Sequence, residues 1–233
     1  MSAKINVGGV ETFSTVDFPE HMAAVVFLQG CPWRCPFCHN TSLQPIDSAT
    51  DFVWEKFLDF LKKRQGILDA VVFSGGEPLV QNSLGDAVDD VKSMGYKTAL
   101  HTGGYRPEAF QKVLPKLDWV GFDIKAPLTA EGYKKSTGGY DKIEHVLQSL
   151  KMLLDSGVDF ECRTTCDPRV LDIADIYAIA DTLSEMGVKT YRLQRYRQVE
   201  GDNTPDSECE KFFTDKALEE YLHKKFSDFA FRS

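Results

Sequence analysis

The chain contains the stretch Gly30-Cys31-Pro32-Trp33-Arg34-Cys35-Pro36-Phe37-Cys38-His39-Asn40, in which three cysteines fall within eight residues. Three thiolates that lie so close together can converge on one metal centre. A [4Fe–4S] cluster with a full set of protein ligands takes four cysteines, so three leave one iron with an open coordination position. The stretch therefore predicts a [4Fe–4S] cluster held by Cys31, Cys35 and Cys38, with room at one iron for a further ligand.

Length and composition are those of an ordinary soluble domain. The chain has 233 residues, of which 42% are hydrophobic and 27% charged, enough for an α/β barrel with a large core. The longest apolar run, from Met22 to Leu28, is too short to cross a bilayer, and the start of the chain lacks the apolar region of a secretory signal. We therefore expect a cytoplasmic protein with reduced thiols and no membrane partner. The net charge of −8 argues against a nucleic-acid partner.

A structural zinc site is the alternative for the cysteine stretch, with His39 as the fourth ligand. Cys38 and His39 are adjacent, so their side chains point in divergent directions, and no CxxC or HxxxH pair follows to complete a tetrahedron. A disulfide framework does not fit the cytoplasm, and a redox CxxC does not use a third cysteine. Cys162, Cys166 and Cys209 are interpreted as small buried hydrophobes. A role of Cys162 and Cys166 in a second cluster stays open.

Apolar, β-branched segments alternate with segments of helical periodicity. Six strands are predicted at Ala23–Leu28, Ala70–Phe73, Thr98–His101, Trp119–Ile124, Phe160–Thr164 and Thr190–Gln194. Five helices are predicted at Phe52–Arg64, Ser83–Met94, Pro107–Leu114, Asp141–Ser156 and Asp172–Met186. This order predicts an α/β fold with parallel strands, a partial (β/α)6 barrel. We expect one domain over residues 1–233, with a core at about 20–197 and a polar tail at 198–233 that carries a short helix.

Polar and small residues follow four successive predicted strands. Cys31 follows the first strand, Gly75-Gly76-Glu77 the second and Thr102-Gly103-Gly104 the third, while Asp123 and Lys125 end the fourth. In α/β barrels the chemistry takes place at the C-terminal ends of the strands, in the loops that follow them. We therefore expect these residues to meet at one face of the barrel.

The cysteine stretch and the motif Ser74-Gly75-Gly76-Glu77-Pro78 resemble the radical S-adenosylmethionine (SAM) enzymes, over nearly the whole chain. Two further stretches, Phe13-Ser14-Thr15-Val16-Asp17-Phe18-Pro19 and Val26-Phe27-Leu28-Gln29-Gly30, join Cys35-Pro36-Phe37-Cys38-His39-Asn40 in being similar to activases of glycyl radical enzymes. The similarity is greatest to activating proteins of anaerobic ribonucleoside-triphosphate reductase, followed by the pyruvate formate-lyase activating enzyme. Roughly a dozen residues separate His39 from the first predicted helix, so the chain resembles the compact activases with a single cluster.

The resemblance implies a reaction and its participants. Cys31, Cys35 and Cys38 would bind the cluster, and the amino and carboxylate groups of SAM would chelate the open iron. One electron would cleave SAM to methionine and a 5′-deoxyadenosyl radical, which takes a hydrogen atom from a glycine Cα of a partner glycyl radical enzyme. The implied protein partners are that enzyme and a flavodoxin- or ferredoxin-like electron donor. No catalytic side chain beyond the cluster and SAM is expected.

The resemblance also assigns contacts with the cofactor. Phe37 would contact adenine, Glu77 and the two glycines before it would receive the SAM amino group, and Lys125 would offset the carboxylate. The full set of implied contacts is Phe37, Cys38, His39, Gly75, Gly76, Glu77, Thr102, Asp123, Ile124, Lys125, Arg163 and Gln194. His101 replaces the aspartate that helps to bind a monovalent cation in the pyruvate formate-lyase activase, so the resemblance does not decide whether a cation binds.

Three alternatives stay open at this point. The first is a radical SAM enzyme that acts on a small molecule, such as a deazaguanine synthase. The second is a non-catalytic metal module that carries electrons or zinc. The third is an activase whose partner is pyruvate formate-lyase.

Overall fold

The strands of this protein follow one another around a single sheet in the order of the chain. The computed structural model describes residues 3–232. Within them lie eight strands: β1 (Val7–Ser14), β2 (Ala23–Leu28), β3 (Ala70–Gly75), β4 (Lys97–Thr102), β5 (Trp119–Asp123), β6 (Asp159–Cys166), β7 (Thr190–Arg195) and β8 (Asp228–Arg232). β1 is antiparallel to β2, and each later strand is parallel to its neighbour. The predicted partial barrel of parallel strands is confirmed.

Helices connect the parallel strands and cover the outside of the sheet. Residues 3–232 contain α1 (Trp54–Lys62), α2 (Leu84–Ser93), α3 (Pro107–Val113), α4 (Ala130–Thr137), α5 (Ile143–Ser156), α6 (Ile173–Glu185), α7 (Asp206–Thr214) and α8 (Lys216–Lys225). Gly157 ends α5 with φ +73°, and Gly95 and Gly187 follow α2 and α6 with φ +89° and +93°. These are left-handed conformations in which glycine has no steric penalty, as expected at helix ends. In the same part of the chain, no helix is long and apolar enough to span a membrane.

An apolar cluster fills the inside of the barrel near the N-terminal ends of the strands. Val25, Val72, Ala99 and Trp119 lie side by side on β2 to β5, and Phe18 from the β1–β2 connection packs among them. A much larger apolar core lies between the sheet and the helices. The C-terminal ends of the strands therefore remain available for a site, as is usual in α/β barrels.

The prediction of six strands was wrong by two. β1 escaped notice because it contains two glycines and is half exposed, so its apolar alternation is weak. β8 has only five residues and lies in the segment that was expected to be a polar tail with a short helix. That segment instead holds α7, α8 and β8, and β8 pairs with β7 as a seventh parallel strand. The helix α4 was also missed, since it contains Gly132 and is mostly polar.

Candidate active site

Hydrogen bonds from neighbouring loops hold the cysteine stretch in place. The backbone N–H of Cys31 donates to the carbonyl of Gln44 at 3.0 Å, and that of Arg34 donates to the carbonyl of Thr137, at the end of α4, at 2.7 Å. The Arg34 guanidinium turns back onto the loop and donates to the carbonyls of Cys31 and Trp33 at 2.9 and 2.8 Å. The stretch therefore has a defined shape that is set by the protein itself.

The three cysteines line one cavity at the C-terminal ends of the strands, as predicted. Seven of the other implied contact residues also line it: Phe37, Gly75, Gly76, Asp123, Ile124, Lys125 and Arg163. Four residues that sequence reasoning did not single out complete the lining: Trp33, Asn40, Gln44 and Thr165. Trp33 and Asn40 belong to the cysteine stretch itself, so their place in the sequence was an available signal.

The residues around the cavity fit an iron–sulfur cluster. Within residues 3–232, no three His, Cys, Asp or Glu side chains come close enough together to hold one ion, although Cys31, Cys35 and Cys38 border a common cavity. A cluster of four irons separates its cysteine ligands more widely than a zinc ion does. The Nε1–H of Trp33 is buried in the wall of this cavity without an acceptor, and cluster sulfur can accept such a hydrogen bond.

Burial makes the free thiols hard to ionise. It raises the pKa of Cys31 to about 12 and that of Cys35 to about 11, against weaker lowering by nearby backbone N–H groups and by Lys125. Thiolates are the form that binds metal. A cationic centre in the cavity would stabilise the negative charge of the thiolates and so lower the pKa of these cysteines.

A partly buried charged triad, Asp123, Lys125 and Arg163, lines the same cavity as the cysteines. The Asp123 carboxylate accepts a hydrogen bond from Nε of Arg163 at 2.9 Å, and Nη2 of Arg163 lies 2.8 Å from the same oxygen as an ion pair. The other oxygen of Asp123 is 3.6 Å from Lys125 Nζ. Burial opposes the ionisation of Asp123, but the two cations outweigh it and lower the pKa of the carboxyl. Burial likewise opposes the charge on Lys125, and Asp123 together with the cysteines outweighs it and raises the lysine pKa. The site thus keeps a net positive charge from these three groups.

The Lys125 ammonium also faces aromatic rings of the cysteine stretch. Its Nζ lies 4.9 Å from the centre of the Trp33 ring and 6.0 Å from that of Phe37. Such cation–π contacts fix the position of a lysine without neutralising it. Lys125 is therefore held as a cation at the wall of the cavity, where it suits an anionic group of a ligand.

The Glu77 side chain does not line the cavity, and both of its carboxylate oxygens accept hydrogen bonds from groups of the protein. One carboxylate oxygen accepts from Thr102 Oγ1 at 2.5 Å and from the N–H of Leu79 at 3.1 Å, and the other accepts from the N–H of Gly103 at 2.9 Å. The residue is 1% exposed, and burial raises its pKa although these hydrogen bonds oppose the rise. Glu77 thus ties the loop after β3 to the loop after β4. Direct contacts of Glu77 and Thr102 with SAM stay predictions.

Two implied contacts lie elsewhere. His39 is exposed at the end of the cysteine stretch. Gln194 borders a second cavity, at the side of the barrel. Arg163 lines both cavities, so the two spaces are neighbours.

His101 gives the fold a sensitivity to acid. Its Nε2–H donates to the carbonyl of Asp17 at 2.8 Å, and burial together with Arg163 lowers its pKa to about 4, although Asp123 and Asp17 act in the opposite direction. The folded state therefore favours the neutral His101 ring. The stability that this preference contributes is fully present above the unfolded pKa of about 6.5, and it is lost as the pH falls toward the folded pKa of about 4. Between pH 7 and pH 4 we expect a loss of up to about 3 kcal/mol in the free energy of unfolding.

Urea unfolding at several pH values measures this loss, with His101→Gln as the control. Glutamine keeps a donor for the Asp17 carbonyl but does not titrate. The variant is expected to lose less stability than the wild type on acidification. Parallel pH profiles for the two proteins would contradict the assignment.

Comparison with known proteins agrees with this geometry. Residues 25–168 match the Radical SAM superfamily. The chain is 33% identical over 218 residues to a protein of Methanocaldococcus jannaschii that is named as a glycyl-radical enzyme activating enzyme, covering 89% of this chain and 85% of that protein. It is 32% identical over 175 residues to a pyruvate formate-lyase-activating enzyme of Clostridium pasteurianum, covering 71% and 70%.

A solved structure shows the same fold. SuiB of Streptococcus suis, bound to S-adenosylmethionine, superposes with a TM-score of 0.67 over 88% of this chain at 14% sequence identity. The chain spans 48% of the length of SuiB, so this likeness concerns the fold alone.

The chain belongs to the radical SAM superfamily. Within that superfamily, the two relatives described above carry the names of glycyl-radical activases. Members of the superfamily use a [4Fe–4S] cluster and SAM, and both predicted cofactors are thereby confirmed.

Proposed function

We propose that this protein activates anaerobic ribonucleoside-triphosphate reductase by installing a glycyl radical on it. One observation carries the proposal: the three cysteines of the loop and the charged triad Asp123, Lys125 and Arg163 line the same cavity. The names of its relatives support the class of activase. The match between the motifs of this chain and those of reductase activases supports the choice of partner.

Each side chain has a defined task in this proposal. Cys31, Cys35 and Cys38 hold the cluster, and Lys125 binds the carboxylate of SAM while Phe37 packs on its adenine. When bound, the cluster and SAM would supply the radical chemistry: one electron from the external donor would cleave SAM to methionine and a 5′-deoxyadenosyl radical, which would take a hydrogen atom from a glycine Cα to give 5′-deoxyadenosine and the glycyl radical. The protein orients the bound nucleoside and keeps water away from it. No general acid or base is needed for this step.

The second cavity supports a polypeptide substrate. It lies between the β1–β2 connection, represented by Thr15 and Asp17, and the last strand, represented by Phe231 and Arg232. Both β1 and β8 lie at ends of the sheet, so this side of the barrel stays open. Because Arg163 borders both cavities, a chain segment that enters here reaches the neighbourhood of the cysteines. A glycine-bearing loop of the partner would enter by this route.

The test combines two products. The anaerobically prepared protein is mixed with the partner reductase, SAM and a reduced flavodoxin- or ferredoxin-like donor. We expect a glycyl-radical doublet in the electron paramagnetic resonance (EPR) spectrum of the partner, together with 5′-deoxyadenosine. A modified small molecule in place of a protein radical would contradict the proposal.

We also propose that the protein is cytoplasmic, because cysteines that bind a cluster must stay reduced and the cytoplasm keeps thiols reduced.

A second partner is favoured by one observation. The Clostridium pasteurianum relative is named as a pyruvate formate-lyase-activating enzyme. Parallel reactions with pyruvate formate-lyase and with the reductase, at equal concentrations, separate the two. We expect the doublet to form faster on the reductase, and a faster reaction on the lyase would assign the other partner.

A further inference from the structure

We propose that Arg169 is a positioning residue that fastens the cysteine loop between its second and third cluster ligands. The inference rests on the cluster assignment in the proposed function and concerns a residue outside the cavity. Arg169 lies in the loop between β6 and α6, and the Nη2 group of its guanidinium donates to the carbonyl of Pro36 at 2.9 Å. Pro36 stands between Cys35 and Phe37, so this hydrogen bond holds the backbone that carries two cluster ligands.

The guanidinium is itself held rigidly from two sides. Its Nε and Nη2 donate to the two oxygens of the Asp167 carboxylate at 2.9 and 2.8 Å, a fork geometry that only arginine provides. The Asp167 carboxylate is completely buried, with a side-chain exposure of 0%. A buried carboxylate needs such partners, so Asp167 fixes the direction in which Arg169 reaches the cysteine loop.

The third anchor lies in the segment after β7. The Nη1 group of Arg169 is 3.2 Å from the Asp202 carboxylate, and the guanidinium packs 4.7 Å from the ring centre of Tyr196. The Tyr196 hydroxyl donates in turn to Asp202. Arg169 thereby joins three parts of the chain that are distant in sequence: the cysteine loop, the β6–α6 loop and the segment 196–202.

Charge alone does not explain this arrangement. One guanidinium faces two carboxylates, so the group has no surplus positive charge with which to attract an anionic cluster or to change its potential strongly. What it provides to the loop is a directed donor with little freedom to move. Residues that orient metal ligands from behind in this way change metal affinity about 10- to 100-fold when they are replaced.

The test compares Arg169→Gln with Arg106→Gln. Arg106 is a matched control because its guanidinium also donates to a carbonyl, that of Val80, and to a carboxylate, that of Glu108, but does not touch the cysteine loop. Each protein is reconstituted with iron and sulfide, and iron release to a chelator is followed in the absence of turnover. We expect release from Arg169→Gln to be at least about tenfold faster than from the control.

Two further readouts separate positioning from general stability. We expect the EPR spectrum of the reduced Arg169→Gln cluster to need a higher SAM concentration for its SAM-dependent change. The unfolding temperature of the metal-free Arg169→Gln protein is expected to fall below that of Arg106→Gln, because the buried Asp167 carboxylate loses its guanidinium partner, so iron release and SAM binding are measured at a temperature at which both variants are fully folded. Arg169→Lys keeps the charge but lacks the fork, so it should not restore slow release. If the glutamine variant does not fold, Asp202→Asn takes its place, because it removes the charge of the third anchor and leaves the contacts of Arg169 with Asp167 and Pro36 intact. This variant should also release iron faster than the control.

Equal iron release from Arg169→Gln, or from its substitute, and from Arg106→Gln would overturn the positioning role. So would full rescue by lysine. Failure of the cluster assignment looks different, because the wild type and Arg106→Gln would then bind no iron–sulfur cluster at all.

Discussion

Replacement of Cys35 by alanine is expected to abolish cluster binding and SAM cleavage while leaving the barrel folded. The side chain lies in the loop after β2 and lines the cavity, and the loop is held by backbone hydrogen bonds that do not involve its sulfur. A cluster that loses one of three protein ligands would lose both its anchorage and the geometry of its open iron. Iron content, the visible spectrum and 5′-deoxyadenosine formation after reconstitution measure the loss, which we expect to reach background.

The matched control is Cys209→Ala. Cys209 is 1% exposed and packs in α7, outside the site. We expect this variant to bind the same amount of iron as the wild type and to cleave SAM at a similar rate, with only a modest loss of stability from the small cavity it creates. Retention of a full cluster by Cys35→Ala, or loss of the cluster in Cys209→Ala, would contradict the assignment of ligands.

Gly75→Ala is expected to lower the free energy of unfolding by about 3 to 5 kcal/mol. Gly75 has φ +113°, a conformation that costs a residue with a side chain energy by itself. A Cβ at this position would also lie 2.2 Å from the backbone N of Leu28 and 2.6 Å from its carbonyl oxygen. Backbone atoms of β2 cannot move away as the end of a side chain can, so β3 would have to separate from β2 just beneath the cysteine loop.

Gly85→Ala is the control for this substitution. Gly85 lies in α2, and its nearest neighbour to an added Cβ is the flexible end of Lys116 at 3.7 Å. Alanine there should be neutral or stabilising by up to about 1 kcal/mol. Urea unfolding of both variants tests the contrast, and a Gly75→Ala protein as stable as Gly85→Ala would show that the close approach of β2 and β3 does not constrain this site.

The parallel strands β2 to β7 were predictable because each is a short apolar run followed by a helix with its own periodicity and, in several cases, a terminal glycine. Such local signals were missing from β1 and β8. β1 is half exposed, and β8 becomes a strand only by pairing with β7, at a distance of more than thirty residues along the chain. Edge strands of this kind depend on tertiary contacts that periodicity does not show.

The site was predictable to the level of loops but not of side-chain direction. The positions after successive strands indicated which residues would meet, and most of them do line one cavity. Nothing local indicated that Glu77 would turn inward to accept hydrogen bonds from Thr102 and Gly103. The link between Arg169 and Pro36 joins residues 133 positions apart, so it too depends on the completed fold.

The most direct test of the central claim is the EPR spectrum of anaerobically prepared, chemically reduced protein with and without SAM. We expect the signal of a reduced [4Fe–4S] cluster that changes when SAM is added, because three cysteines leave one iron free to bind it. A protein that contains a single zinc ion, or a cluster signal that SAM does not alter, would contradict the claim.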